Sequence, residues 1–247
     1  MNIQITENER IDDLQINNLK IIQNKNGFCF GIDSVLLSDF AKNIKNNSNV
    51  IDLGTGTGII PILLSAKCSL KKIIGVEIQK SVAEMAKRSV RLNNLDNLIE
   101  IWCNDIKNLE NNNCFESFDA VVTNPPYMKN NTGLTNENEL KLISRHEIEC
   151  NLEDIARISS KLLKNNGVIY MVHRPDRLVD IMEIFRRYKL EIKEIRMVYS
   201  YMETQANLVL IKAVKNGKPF LKIQKPLYVY KDKHNYSDEI LKIYNKI

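Results

Sequence analysis

The chain has 247 residues, of which 44% are hydrophobic and 26% charged, a composition that suits one globular domain with an appendage or two small domains. Its five cysteines form no C-x-x-C pair, no apolar run reaches the roughly 18 residues that span a membrane, and the start is polar and acidic. These features argue against a secreted disulfide scaffold, a zinc site, a membrane protein and a signal peptide, so we expect a cytoplasmic protein without a metal.

Short apolar runs alternate with helical patterns along the chain. The predicted strands are Asn49–Leu53, Lys72–Glu77, Leu98–Trp102, Phe118–Val122, Val168–Val172, Ile192–Tyr199 and Asn207–Val214. The predicted helices are Ser34–Lys42, Ile59–Lys67, a segment with apolar residues from Val82 to Val90, Leu152–Leu163 and Arg177–Tyr188. This alternation predicts βαβ units, hence an α/β fold with a mostly parallel seven-stranded sheet and helices on both faces.

Distinctive residues follow the ends of the first four predicted strands. A glycine cluster follows the first strand, Glu77 ends the second, Asn104 and Asp105 follow the third, and Asn-Pro-Pro-Tyr follows the fourth. Ligands of open parallel sheets bind outside the carboxyl ends of the strands. We therefore expect these residues to form one site.

The glycine cluster has the spacing G-x-G-x-G at Gly54, Gly56 and Gly58. Glycine allows a sharp turn from strand to helix and lets a ligand approach the backbone closely. Glu77 lies 19 residues beyond Gly58, about the distance at which an acid reaches the hydroxyls of a ribose. Asp52 precedes the first glycine, and its negative charge suits a ligand with an ammonium and a sulfonium better than a pyrophosphate.

This arrangement resembles motif I of the class I S-adenosylmethionine-dependent methyltransferases. The resemblance implies that Asp52 and the Gly54–Gly56 backbone hold the methionine end of S-adenosyl-L-methionine, that Glu77 holds the ribose, and that Asp105 accepts a hydrogen bond from the adenine. The cofactor-binding residues implied in this way are Phe30, Asp33, Asp52, Gly54, Thr55, Gly56, Gly58, Glu77, Ile78, Asn104, Asp105, Ile106 and Asn124. Other interpretations are a solvated strand end for Glu77 and a helix cap for Asp105 or Asp33.

Asn124, Pro125, Pro126 and Tyr127 form the run after the fourth strand. Two prolines fix an extended backbone and remove two N–H donors, so the loop offers only acceptors. Two acceptors suit an exocyclic NH₂ group, whose lone pair they free for attack, while Tyr127 offers a face on which a base stacks. The run matches motif IV of the amino-methyltransferases, which implies a catalytic role; in isolation it is usually a turn with a structural tyrosine.

Sequence runs outside the cofactor and Asn-Pro-Pro-Tyr motifs indicate one branch of these methyltransferases. Segments around Arg10–Leu14, Ile21–Gln23, Phe28–Leu37, Arg145–Glu147 and Pro226–Glu239 resemble the bacterial tRNA1(Val) adenine-37 N6-methyltransferases, and the resemblance covers nearly the whole chain. Phe30 and Asp33 then lie near the methionine moiety. We expect an N-terminal segment packing on the cofactor site (1–48), a methyltransferase domain (49–214) and a basic C-terminal extension (215–247). His146 is interpreted as a surface histidine, and 128–138 as a mobile loop ordered by substrate.

The positive charge lies in the last quarter of the chain. From Arg186 onward there are 14 basic and 6 acidic residues, whereas the whole chain has a net charge of only +5. A basic surface favours a polyanionic partner, although lysines also serve solubility. We expect a monomer that binds the anticodon stem-loop of tRNA through this region, by lysines at 212, 215, 218, 222, 225, 231 and 233.

Three functions remain open from the sequence. The first is methylation of adenine N6 in tRNA, at adenine 37 by resemblance. The second is methylation of another amino group: the glutamine amide of a release factor, guanine N2 of ribosomal RNA, or adenine in DNA. The third is a non-catalytic RNA-binding module, against which the intact set of cofactor and acceptor motifs argues.

Overall fold

The computed structural model describes residues 4–27, 30–111, 115–125 and 151–246. The strands in these ranges are β1 (Glu9–Asp13), β2 (Lys20–Asn24), β3 (Asn49–Leu53), β4 (Lys72–Glu77), β5 (Ile99–Cys103), β6 (Phe118–Thr123), β7 (Leu163–His173), β8 (Leu190–Tyr199), β9 (Ala206–Lys215), β10 (Lys222–Ile223) and β11 (Leu227–Tyr228). The α-helices are α1 (Ile32–Phe40), α2 (Ile59–Lys67), α3 (Lys80–Leu92), α4 (Leu152–Leu162), α5 (Leu178–Arg187) and α6 (Asp238–Ile243). Two 3₁₀ helices cover Ile106–Asn111 and Pro175–Arg177.

The main sheet has the strand order β10-β8-β9-β7-β6-β3-β4-β5, and β11 also pairs with β8. Strands β3 to β8 run in one direction, and β9 alone is antiparallel, between β7 and β8. The predicted α/β fold with a mostly parallel sheet is confirmed, and β3 to β9 are the seven predicted strands. The two-residue strands β10 and β11 extend the sheet beyond these seven, because the C-terminal extension pairs with the edge strand β8.

The sheet is covered on both faces. Alternate residues of a strand point to opposite faces, so Val50 packs with α1, α2 and α3 while Ile51 packs with α4 and α5. Burial on both faces explains why the parallel strands are continuous apolar runs. All described helices are too short or too polar to cross a membrane.

The N-terminal residues form an antiparallel hairpin, β1–β2, that the sequence did not predict. Its β2 strand packs on α3, where the Ile22 N–H donates to Ser89 Oγ at 3.0 Å. The Glu9 carboxylate of β1 also accepts hydrogen bonds from the Arg88 guanidinium, one of them at 2.7 Å. The hairpin is thereby attached to the helix that follows β4.

Helix α1 begins at Ile32, with Gly31 as its N-cap residue and no side-chain cap. Asp33 lies within the first turn of this helix, so the prediction that it caps the helix is wrong. A carboxylate there still interacts favourably with the positive end of the helix dipole. The C-terminal helix α6 packs against α1 and joins the same core.

Candidate active site

The glycine loop connects β3 to α2 at the carboxyl edge of the sheet. Gly54, Gly56 and Gly58 have φ values of 76°, 56° and 87°, all in the left-handed region that favours glycine. A Cβ atom on Gly54 or Gly56 would meet no atom of the described residues within 4 Å, so these residues leave open space beside this backbone. The loop therefore leaves room for a ligand against its main chain.

Asp52 is fully buried near the end of β3. Neither of its carboxyl oxygens has a hydrogen-bond partner in the described part of the chain, and the same holds for Thr55 Oγ1. Burial raises the pKa of Asp52 to about 7, and the negative charge of the Glu77 carboxylate raises this pKa further. The nearby Thr55 hydroxyl lowers the pKa, although it does not reach hydrogen-bond geometry. A buried carboxyl without a partner is costly, so this position suits a ligand with a positive charge and N–H donors.

Glu77 ends β4 with only 6% of its surface exposed, so its interpretation as a solvated strand end is wrong. Its Oε2 accepts from the Gly56 N–H at 3.0 Å and its Oε1 from the Gln79 N–H at 2.9 Å. These bonds hold the carboxylate directly beside the glycine loop. An acid fixed in this way can accept hydrogen bonds from a diol.

Asn104, Asp105 and Ile106 follow β5 along the same edge. The Asn104 N–H donates to the Glu77 carbonyl at 3.0 Å, which joins this turn to the end of β4. Asp105 Oδ1 accepts from the Lys107 N–H at 2.9 Å, so Asp105 does cap the 3₁₀ helix that follows. Ile106 is buried, whereas Ile78, next to Glu77, is 39% exposed and presents an apolar surface at the edge.

Asn124 and Pro125 follow β6, on the other side of β3 from Glu77. The Thr123 hydroxyl donates to the Leu53 carbonyl at 2.9 Å and thereby ties the end of β6 to the end of β3. The Asn124 amide nitrogen donates to Ser34 Oγ at 3.3 Å, and its Oδ1 makes no hydrogen bond within the described ranges. Pro125 is buried. This turn therefore presents a free amide oxygen beside the glycine loop.

Several predicted residues fall outside the described residues. These are Pro126, Tyr127, the segment 128–138 and His146. The catalytic role predicted for Pro126 and Tyr127 remains a prediction, as does the predicted mobility of the loop.

Phe30 is half-buried immediately before α1. Its N–H donates to Gln23 Oε1 at 2.8 Å, and Gln23 is itself buried and donates to Asp12. The hairpin thus fixes the backbone of Phe30. Asp33 follows on the same segment, and Ser34 of the next position reaches Asn124.

Residues 18–193 match the family model of the methyltransferase small domain. The chain belongs to this family. Relatives named tRNA1(Val) (adenine(37)-N6)-methyltransferase include one from Porphyromonas gingivalis, 30% identical over 65% of this chain and 64% of the relative, and one from Actinobacillus succinogenes, 25% identical over 86% and 87%. Another from Bacteroides fragilis is 29% identical, and the alignment spans 58% of each chain.

Solved structures support the same fold for this member of the methyltransferase small domain family. A predicted O-methyltransferase from Agrobacterium tumefaciens has a TM-score of 0.69 at 21% identity, over 87% of this chain and 96% of that one. TYW2 of Methanocaldococcus jannaschii, in complex with AdoMet, has a TM-score of 0.57 at 15% identity, over 85% and 87%.

Two of the seven lysines predicted to bind RNA are engaged elsewhere. Lys212 pairs with Glu194 at 2.9 Å, and the buried Lys215 pairs with Glu116 at 2.9 Å and donates to the Leu163 carbonyl. Because Lys215 is buried and both partners hold its ammonium inside the protein, its assignment to an RNA surface is wrong. The others, at 218, 222, 225, 231 and 233, are exposed.

Sequence reasoning missed Ser34 and Gln23. Both are buried polar residues whose hydrogen bonds orient predicted site residues. Neither belongs to a motif with a chemical signature, and a serine inside a helix gives no signal of its own. Only the contact between α1 and the end of β6, 90 residues apart in sequence, gives Ser34 a role.

Proposed function

We propose that this protein transfers a methyl group from S-adenosyl-L-methionine to N6 of an adenine in tRNA, namely adenine 37 next to the anticodon of tRNA1(Val). The observation that carries the proposal is the Asn124 amide: one of its hydrogens is donated to Ser34, which leaves Oδ1 as an acceptor beside the glycine loop. The names of the relatives agree with this substrate.

The cofactor site is supported by the chemistry of its residues. The unpaired Asp52 carboxyl and Thr55 hydroxyl suit the ammonium of a methionine moiety, and the open backbone at Gly54 and Gly56 leaves space for it. Glu77 would hold the ribose hydroxyls. Ile78, Asn104, Asp105 and Ile106 would surround the adenine, and Phe30 and Asp33 would lie near the methionine end. When bound, S-adenosyl-L-methionine supplies an electrophilic methyl group on a sulfonium.

The chain activates the amine by accepting its protons. The Asn124 Oδ1 and the Pro125 carbonyl would accept one N–H each from the exocyclic amine, because the proline removes the competing donor from this turn. The nitrogen can then rehybridise toward a tetrahedral geometry, and its lone pair becomes available for in-line attack. Stabilising the developing positive charge with fixed dipoles requires no strongly basic side chain. Tyr127 would stack on the base.

The N-terminal segment, residues 1–48, would complete the site from one side. Gln23 holds the backbone of Phe30, and Ser34 holds the amide of Asn124. We therefore propose that this segment positions both the cofactor end and the acceptor end of the site.

The five exposed lysines of the C-terminal extension would bind the phosphates of the anticodon stem. β10 pairs with the middle of β8, and β11 pairs with the carboxyl end of β8. The extension therefore runs along the edge of the sheet toward the active-site end of the strands. An anticodon loop suits this enzyme because its bases can be splayed out at modest cost. We propose that a monomer acts on tRNA in the cytoplasm.

Incubation of the protein with radiolabelled S-adenosylmethionine and total tRNA from a strain lacking the gene tests the proposal. N6-methyladenosine in the digested tRNA is the expected product. Label in a release factor would instead favour glutamine methylation, the activity named for a relative from Aliivibrio fischeri that is 28% identical over 52% of this chain. Asn124→Ala should abolish turnover and preserve cofactor binding, whereas Glu77→Ala should mainly weaken cofactor binding.

A further inference from the structure

Arg174 differs from the other described arginines because it has no carboxylate partner among the described residues. Each of the others has a carboxylate oxygen at 3.7 Å or less: Arg10, Arg88, Arg91, Arg157, Arg177, Arg186, Arg187 and Arg196. The Arg174 guanidinium forms no ion pair or hydrogen bond in the described part of the chain, although the residue is half-buried. A half-buried arginine without a counter-ion among the described residues leaves its charge available, so the position suits an external anion.

Arg174 lies at the carboxyl edge, next to the acceptor turn. β6 and β7 are parallel neighbours, and their register places Thr123 beside Met171. Continuing this register places Pro125 beside His173, the last residue of β7, and Arg174 one position further. Because neighbouring strands lie roughly 5 Å apart, Arg174 borders the space in front of Asn124 and Pro125.

The backbone of Arg174 is held in place on both sides. Its N–H donates to His173 Nδ1 at 2.8 Å, and Pro175 follows with a restricted φ. Burial lowers the pKa of His173 to about 4, so the imidazole is neutral at pH 7 and retains its acceptor nitrogen. The guanidinium therefore extends from a rigid strand end.

We propose that Arg174 binds a backbone phosphate of the RNA at or beside the target adenosine. The inference rests on the proposed function and extends it. A phosphate contact would favour a nucleotide substrate over the uncharged glutamine side chain of a release factor. A guanidinium suits this role through paired N–H donors that match two phosphate oxygens. A base alone would satisfy the Asn124 turn, whereas the phosphate contact requires a nucleic acid.

The test compares Arg174→Ala with the matched control Arg177→Ala. Arg177 lies three residues after Arg174 and carries the same charge, but it is already paired with Asp180. Arg174→Ala should raise the KM for tRNA about tenfold and leave the affinity for S-adenosylhomocysteine unchanged. The slope of log affinity against log salt should become less steep by about 0.7 to 0.9, as expected for the loss of one phosphate contact. Arg174→Lys should recover part of the lost affinity, and Arg177→Ala should change neither the KM nor the slope.

Two results would overturn the inference while the proposed function stands: an Arg174→Ala enzyme that methylates tRNA with wild-type KM and salt slope, or one that loses as much affinity for S-adenosylhomocysteine as for tRNA. A wild-type protein that methylates a release-factor peptide and no RNA would overturn both. Thermal unfolding should be nearly unchanged in Arg174→Ala, because no hydrogen bond or ion pair of this side chain to the described residues is lost.

Discussion

The Asn124 amide nitrogen donates to Ser34 Oγ at 3.3 Å, which joins the acceptor turn after β6 to helix α1. Ser34 is only 3% exposed. Because an amide can rotate to exchange its oxygen and nitrogen, a fixed partner for the nitrogen determines where the oxygen points. We infer that Ser34 positions Asn124 and does not itself contact the substrate.

Ser34→Ala should therefore lower kcat about 3- to 10-fold, which corresponds to one neutral hydrogen bond of about 0.5–1.5 kcal/mol. The dissociation constant of S-adenosylhomocysteine should stay unchanged, because no cofactor residue is removed. Steady-state kinetics with tRNA and calorimetric binding provide the two measurements. Ser38→Ala is the matched control: Ser38 is also buried in α1, but its hydroxyl donates only to the Ser34 carbonyl. Equal kcat values for the two variants would refute a positioning role.

The raised pKa of Asp52 gives the ligand-free protein a specific pH dependence. The folded-state pKa of about 7 lies above the unfolded value near 3.9, so the folded protein binds this proton more tightly. The associated stability is present in full below about pH 4 and is lost as the pH rises through about 7. Chemical denaturation of wild type and Asp52→Asn between pH 4.5 and 8 should diverge by about 1.4 kcal/mol per pH unit over most of this range. Parallel curves would contradict the unpaired, buried carboxyl.

Cofactor binding should depend on pH with the opposite sign. An ammonium prefers the ionised Asp52, so the affinity for S-adenosylhomocysteine should fall as the pH drops below about 7 and Asp52 becomes protonated. Calorimetry in buffers of different ionisation enthalpy should detect proton release near pH 6.5. Asp52→Asn should bind more weakly at pH 8 and lose this proton release. Binding that is equally tight at pH 5.5 and 8 would show that Asp52 plays no part.

The sheet could be predicted from the sequence because its strands carry their own signal. The parallel strands β3, β4 and β6 are buried on both faces and therefore read as apolar runs. The glycine loop was equally predictable, since a turn with three positive φ values requires its glycines locally. Both are properties of contiguous residues.

The hairpin and the contacts within the site depend on distant parts of the chain. Strand β1 is mainly polar, and its Ile11 is 45% exposed, so no alternation marks it as a strand. The two-residue strands β10 and β11 exist only because they pair with β8. Ser34 likewise has a function only where α1 meets β6. Such features follow from packing and not from a local pattern.

The Glu9–Arg88 pair should hold the N-terminal hairpin on α3. Hydrogen bonds from Arg88 lower the pKa of Glu9 to about 2, and the Glu9 side chain is 6% exposed. This contribution to stability is present above the unfolded pKa near 4.3 and is lost as the pH falls through about 2. Arg88→Ala removes the counter-ion of a buried carboxylate that keeps the Thr6 N–H as a donor, and should cost about 3–5 kcal/mol at pH 7. Denaturant unfolding measures the loss, and hydrogen exchange at Ile22 should accelerate.

Arg187 on α5, which pairs with the exposed carboxylates of Glu183 and Glu153, is the control. Because all three side chains are largely in water, Arg187→Ala should cost no more than about 1 kcal/mol. A similar small loss for Arg88→Ala would mean that the hairpin is held by its other contacts with α3, among them the hydrogen bond from the Ile22 N–H to Ser89.

Gly75 on β4 makes room for Thr55 of the glycine loop. A Cβ atom at this position would lie 2.8 Å from Thr55 Oγ1 and 2.9 Å from both Thr55 Cγ2 and Ile101 Cδ1. Gly75→Ala should therefore displace the loop, destabilise the protein by about 1–3 kcal/mol and weaken binding of S-adenosylhomocysteine. The Gly75→Ala/Thr55→Ala double variant removes two of these three atoms, so its loss of stability should be smaller than the sum of the two single losses. Additive losses from denaturant unfolding would show that Gly75 serves another purpose than accommodating Thr55.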